Sequence, residues 1–198
     1  LIVWFKCRGA DFTVAIVYAH TNQKGVRACR PTERVWNWVR QKLERRGQTC
    51  VILTDANGRT GNFVRDPAED PVDVEAEIAG MPEARDAALP DSIGCSNPEQ
   101  ENENGKLFRQ CVEGLGYWVP NTYYASASGP TWKGVRTVDG SGTQYVHTRI
   151  DYVATNHHKV LNVTRDKLLK RELDVGKQWR DLDHIPIWLD LYIPWHRP

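Results

Sequence analysis

Thr49-Cys50-Val51-Ile52-Leu53-Thr54 is an apolar run without polar alternation, and it stops on Asp55-Ala56-Asn57-Gly58. A run this short, closed by turn residues, reads as a strand covered on both faces. Such a strand needs a layer on each side, and the flanking sequence offers the material. Upstream, Leu1-Ile2-Val3-Trp4-Phe5 and Phe12 to Tyr18 are rich in β-formers, and Arg8-Gly9-Ala10-Asp11 supplies a turn between them, so a hairpin is expected. Pro31 and Thr32 introduce a helix to about Arg46. Thr32 is the expected N-cap, Glu33 and the Arg45-Arg46 pair suit the two helix ends, and Gly47 closes it. Val35, Val39 and Leu43 give this helix one buried face, while Trp36 and Trp38 point to different faces, so at most one belongs to the core.

Downstream, Lys106 to Leu115 places Leu107, Cys111 and Leu115 on one helical face and ends at Gly116. Strand-like segments follow at Tyr117 to Tyr124, Thr131-Trp132, Tyr145 to Ala154, Val160 to Thr164 and Ile185 to Ile193. The fold class expected is α/β, a layered sandwich with two packed mixed sheets flanked by helices, in one domain.

The net charge of +1 conceals an uneven distribution. Residues 1–64 carry a balance of +7, residues 65–103 one of −10, and residues 104–198 one of +4. The acidic block holds Pro67, Pro71, Pro82, Pro90 and Pro98 and reads as a surface insertion, with some helix expected around Val74 to Ile78. The basic flanks suit a phosphate polyanion. No apolar run approaches the roughly 20 residues that cross a bilayer. Cys7, Cys29, Cys50, Cys95 and Cys111 show no CxxC pairing, and Cys7, Cys50 and Cys111 read as small core residues. A reducing, intracellular setting, nuclear or cytoplasmic, is expected from this and from the lack of a visible signal peptide. The chain begins with Leu1 and its one methionine is Met81, so an N-terminal part is expected to be missing.

Three places offer chemistry. Asp55 and Asn57, at a strand end, can take a proton from water and donate to a phosphate oxygen, or can form an ordinary Asx turn. Asp183-His184 precedes the strand Ile185 to Leu189, where an acid and an imidazole can bind a metal or press on a phosphate. Asp151, within Arg149-Ile150-Asp151-Tyr152-Val153, is a carboxylate in a strand fit for burial and requires a cationic partner, for which His184 is a good choice. Tyr18 reads on its own as a strand aromatic, and Thr131-Trp132 reads as packing or as a base-stacking edge. His157-His158 reads as a solvent-facing loop pair.

In order, Val17-Tyr18-Ala19, Asp55-Ala56-Asn57, Asn102-Glu103-Asn104-Gly105-Lys106-Leu107, Asn121-Thr122, Thr131-Trp132, Ile150-Asp151-Tyr152 and Asp183-His184 resemble the endonuclease/exonuclease/phosphatase superfamily. That group contains pancreatic deoxyribonuclease and abasic-site endonucleases. The stretch from Asn102 to Tyr124, with TW and IDYV after it, is most similar to the retrotransposon-type and craniofacial-development-protein-like branch. The resemblance implies phosphodiester hydrolysis with Mg²⁺ (or Mn²⁺), with nucleic acid as partner and DNA favoured over RNA. It implies that Asp55 activates or orients water and Asn57 stabilises charge on the phosphate. Asp183 would help bind metal, His184 would contact the scissile phosphate, Asp151 would orient His184, and Tyr18 would lie against the phosphate. Asn104, Thr131 and Trp132 would bind substrate.

Thr54, Leu182 and His20 stand where the family usually has Gly, Ser and Pro. The resemblance also implies an upstream part carrying an Asn, a metal-binding Glu and half of one sheet, so that residues 1–198 form the C-terminal portion of the domain and have little or no activity alone. Two other readings follow from the same fold: a non-catalytic remnant or binding module, and a phosphatase acting on lipid headgroups or small phosphate esters.

Overall fold

The structure, a computed structural model, describes residues 1–7, 10–21, 29–44, 48–62, 92–138, 142–165 and 184–193. It is an α/β layered protein built on a four-stranded mixed sheet in the order β1-β2-β3-β8. β1 (Ile2–Cys7) and β2 (Ala10–Tyr18) form the expected antiparallel hairpin, with Phe5 stacked on Phe12 at 4.7 Å between ring centroids. β3 (Thr49–Asp55) runs parallel to β2, so a crossover must join them, and helix α1 (Cys29–Leu43) lies in that connection. β8 (Asp151–Thr155) closes the sheet, antiparallel to β3.

Strand alternation divides the sheet into two unlike faces. Ala15, Val17, Cys50, Ile52, Tyr152 and Ala154 point to one side and join a core with α1 and α2 (Glu103–Leu115). From α1 come Trp36, Val39 and Leu43, and from α2 come Phe108, Cys111 and Val112. The rings of Trp36 and Phe108 sit 5.2 Å apart, and Phe108 stacks on Tyr152 at 4.9 Å. Trp38, on another face of α1, is exposed. The opposite sheet face carries Ile16, Tyr18 and Leu53, all exposed. β3 is therefore sealed on its helix side and open at Leu53 on the other, where the sequence suggests cover on both faces. Beside β8, β9 (Val160–Arg165) and β10 (Ile187–Leu191) pair antiparallel. β4 (Gly61–Asn62) pairs with β5 (Glu99–Gln100), and β6 (Trp132–Val138) with β7 (Gly142–Thr148).

Several local expectations change. Thr32 lies inside α1, fully buried, and its hydroxyl donates to His20 O at 3.3 Å instead of capping the helix. Helix α2 starts earlier than expected because Asn102 caps it, its Oδ1 accepting from Gly105 N at 2.9 Å, and Gly116 ends it at φ 65. Tyr117 to Tyr124 is not a strand: Pro120 has no N–H for a ladder, and Pro120–Thr122 forms a 3-10 turn. Tyr145 to Ala154 divides into β7 and β8. The acidic block ends sooner than residue 103. Val119 N donates to Ser92 O, and Gly94 N donates to Thr122 Oγ1, so 92–103 belongs to the body. The helix expected at Val74 to Ile78 lies outside the described residues. His157 is buried, its ring held between Thr49 Oγ1 and Tyr192 O rather than facing solvent. Among the described residues, no helix is long and apolar enough to cross a membrane.

The loop after β3 presses on the start of α2, and glycines make that approach feasible. A Cβ on Gly105 would lie 1.8 Å from Arg59 O, whereas one on Gly114 meets only the Arg40 side chain at 3.3 Å. Gly105→Ala is expected to cost at least ~2 kcal/mol in urea unfolding, while Gly114→Ala stays within ~1 kcal/mol of the parent. Equal effects would contradict this packing. Burial pushes the Cys111 thiol up to about 12, the nearby Arg40 lowering it slightly, whereas Cys95 is exposed. Peptide mapping after brief alkylation at pH 8 should find Cys95 modified well before Cys111 or the buried Cys50.

Candidate active site

Tyr18 and Asp55 are register partners at the carboxyl ends of parallel strands β2 and β3, and Asp55 pairs in turn with Asp151 at the start of β8. All three lie in one row across the sheet, and alternation sends their side chains to the face away from the helices. The outer ends of parallel strands are the usual place for a ligand in open α/β sheets. Here they carry two carboxylates directly opposite each other, an arrangement that destabilises a ladder unless positive charge offsets it.

His184 supplies the third group. It reaches the row through a β-bridge to Trp132, and Ile185 N donates to Thr131 O at 2.6 Å. Its Nδ1 lies 2.9 Å from Asp151 Oδ2 and 3.2 Å from Oδ1. Its Nε2 lies 4.0 Å from Asp55 Oδ2. The imidazole side chain is 40% exposed, against 13% for Asp55 and 20% for Asp151. The histidine therefore stands at the mouth with the acids behind it. One donor atom from each of Asp55, Asp151 and His184 falls within a mutual 4.8 Å, a grouping able to hold a metal ion.

Asp55 forms the Asx turn that the sequence allows. Its Oδ1 accepts from Asn57 N at 2.9 Å, which is an Asx turn, while Oδ2 faces the histidine. Asn57 takes the left-handed conformation at φ 44, and its Nδ2 donates to Ala19 O at 2.6 Å. The turn thus fixes the carboxylate and ties the β3 loop to the end of β2.

Asn104 and Thr131, expected to bind substrate, turn their polar groups to backbone. Both are fully buried, so neither meets a ligand from solvent. Asn104 Nδ2 donates to His20 O at 2.9 Å and to Asn57 O at 3.1 Å, bridging the loops that follow β2 and β3. Thr131 Oγ1 accepts from Ile150 N at 3.1 Å and Asp151 N at 3.0 Å, so this residue holds the backbone of Asp151 and of Ile185 together. Trp132 is half-buried, and its indole lies along its own strand over Gly134. Tyr18 is 67% exposed at the open end of the row. Asp183 lies outside the described residues.

The sequence reading gave no role to Asn102 and Asn121. Asn102 Oδ1 accepts from Arg59 N as well as from Gly105 N, locking the loop onto α2. Asn121 donates to Asp151 O at 3.2 Å and accepts from Val153 N at 3.1 Å, pairing with the start of β8 as a strand would. Their signal in the sequence is an Asn beside each segment boundary, and it does not say which distant backbone it serves.

A groove of about 460 Å³ opens in front of the row. Asp55, Asp151 and His184 occupy its polar end, and Ile16, Leu53, Val153, Ile185 and Ile187 form an apolar wall. Another depression, bounded by Leu1, Arg34 and Trp38, contains none of these ionisable groups.

Neither a protein-family model nor a curated protein sequence matches this chain. What fold and site define is a class by geometry: an α/β protein with an Asp-His-Asp cluster at the end of its central strands.

Two hard carboxylate oxygens and one imidazole suit Mg²⁺ or Mn²⁺ and also other divalent ions. Saturating Mn²⁺ is expected to raise the thermal midpoint by about 5–10 °C, from the linkage of roughly 2.7 kcal/mol at 100 times Kd. Asp55→Asn and Asp151→Asn should each remove most of that increment, read by scanning fluorimetry. An undiminished increment in both variants would rule out the cluster as the site.

Proposed function

We propose that the protein hydrolyses phosphodiesters in nucleic acid, with DNA favoured, using a divalent cation. The observation that carries the reading is the Asp151–His184–Asp55 alignment, with contacts of 2.9 Å and 4.0 Å on opposite imidazole nitrogens. A carboxylate behind one ring nitrogen and a second carboxylate facing the other suit proton handling at a phosphate. The resemblance of the ordered motifs to the endonuclease/exonuclease/phosphatase superfamily supports the same chemistry.

Asp55 and Asp151 would hold the cation together with a phosphate oxygen, and the resemblance adds Asp183 as a further ligand. When bound, the cation offsets the charge that makes a phosphodiester repel an incoming water. Asp151 fixes the tautomer and orientation of His184 through Nδ1, leaving Nε2 directed to the groove. His184 Nε2 then holds a proton against a phosphate oxygen, while Asp55 accepts a proton from the attacking water. Water adds to phosphorus, the ester P–O bond breaks, and the leaving oxygen takes up a proton. Tyr18, exposed in line with Asp55, would lie against the same phosphate. The basic balances of residues 1–64 and 104–198 favour a polyanionic substrate.

The test is Mg²⁺-dependent cleavage of supercoiled DNA by the chain joined to the upstream part that the resemblance implies, with single-stranded RNA and phosphoinositide vesicles in parallel. His184→Ala and Asp55→Ala should each reduce DNA cleavage by 100-fold or more, on the scale of a lost acid-base group. Cleavage unchanged by both substitutions would overturn the assignment, and turnover of phosphoinositides alone would transfer it to lipid phosphates.

A further inference from the structure

The two carboxylates come from separate segments: Asp55 ends β3, just before the loop that follows it, and Asp151 begins β8. Something must hold that loop against that strand. At its first residue the sheet does so, with Ala56 N donating to Ile150 O at 2.8 Å. Farther along, no ladder remains, and one buried phenol takes over. Tyr152 is 1% exposed, with its ring stacked on Phe108. Its hydroxyl accepts from Thr60 N at 3.1 Å and lies within donating distance of Gly58 O at 3.0 Å and Arg149 O at 2.9 Å. A single oxygen thus joins both ends of Gly58–Thr60 to the strand that carries Asp151.

Arg149, also 1% exposed, reinforces the junction. Its guanidinium donates to Ser128 O at 2.6 Å and Ser96 O at 3.1 Å, and reaches Thr60 O at 3.4 Å. With an N–H on one side and carbonyl oxygens on the other, the Tyr152 O–H is placed both to accept and to donate. On its far side the same loop is fixed by Asn102 and Asn104. The Tyr152 ring lies on the helix side of β8, against Phe108, while the residue's backbone borders the groove, so its hydroxyl acts on the site through backbone.

We propose that Tyr152 is a positioning residue for the cation site, its hydroxyl setting the place of the Asp55–Asn57 turn relative to Asp151. This rests on the reading of Asp55, Asp151 and His184 as a divalent-cation site. Partners hydrogen-bonded to a metal ligand are typically worth about 10–100-fold in metal affinity, and the Tyr152 hydroxyl, acting through the backbone of the turn, is expected to reach the lower end of that range.

The experiment is Mn²⁺ titration by calorimetry of the full chain, using the parent, Tyr152→Phe and Val39→Ala. Val39 is fully buried in α1, away from the loop, and its truncation reports what general destabilisation does. Tyr152→Phe is expected to weaken Mn²⁺ at least tenfold, with Val39→Ala within twofold of the parent even where its thermal midpoint falls as far. Equal affinity in Tyr152→Phe and the parent would overturn the positioning role while leaving the cation site standing. No Mn²⁺ binding by the parent would overturn both. Hydrogen exchange on the parent gives an independent reading: the Thr60 amide should be protected like the core, and exchange at the rate of an open loop would refute the strap.

Discussion

Across the ladder between β3 and β8, Asp55 stands opposite Asp151, and the sheet register allows neither to move away. Like charges so placed oppose strand pairing, yet much of the surrounding hydrogen bonding keeps them there. Thr131 grips the backbone of Asp151, Asn121 pairs with β8 on its other edge, and the Asx turn binds Asp55 to its own loop. Buried polar groups are retained at a cost in desolvation, which their hydrogen bonds must offset. Here they hold two acids beside an imidazole whose Nδ1 contacts one acid and whose Nε2 faces the other.

The apolar interior provides the rigidity that such placement needs. Trp36, Phe108 and Tyr152 form a continuous run of aromatic contacts from α1 through α2 into β8, tilted at the first pair and stacked at the second. The residue after Asp151 therefore belongs to the core, and alternation places Asp151 itself on the outer face. The same alternation sends Ile16 and Leu53 outward, giving the groove its apolar wall. Core and site are two sides of one sheet.

Much of this plan is legible in the sequence, for physical reasons. The unbroken run Thr49–Thr54 marks the central strand because short apolar runs have few other uses, and Asp55 marks its end. Asp151 stands out as an acid among apolar neighbours, a pattern that calls for a partner, and the His184 imidazole fills that place. What stays hidden is polar and long-range. Thr32 resembles an N-cap locally, yet its hydroxyl serves His20 O from inside the helix. Asn104 and Thr131 are fully buried, and nothing near them in sequence names the distant backbone they support. Tyr152 looks like an ordinary strand aromatic, because one hydroxyl's partners depend on how a separate loop folds back.

The central claim is that the row formed by Asp55, Asp151 and His184 is built around a cation. Anomalous diffraction from crystals grown with Mn²⁺ tests it most directly. A peak is expected in the groove at roughly 2.1 Å from a carboxylate oxygen of Asp55 or Asp151, the spacing of a small hard divalent ion. A fully occupied peak elsewhere on the chain, with ordered side chains and no metal density between these residues, would contradict it.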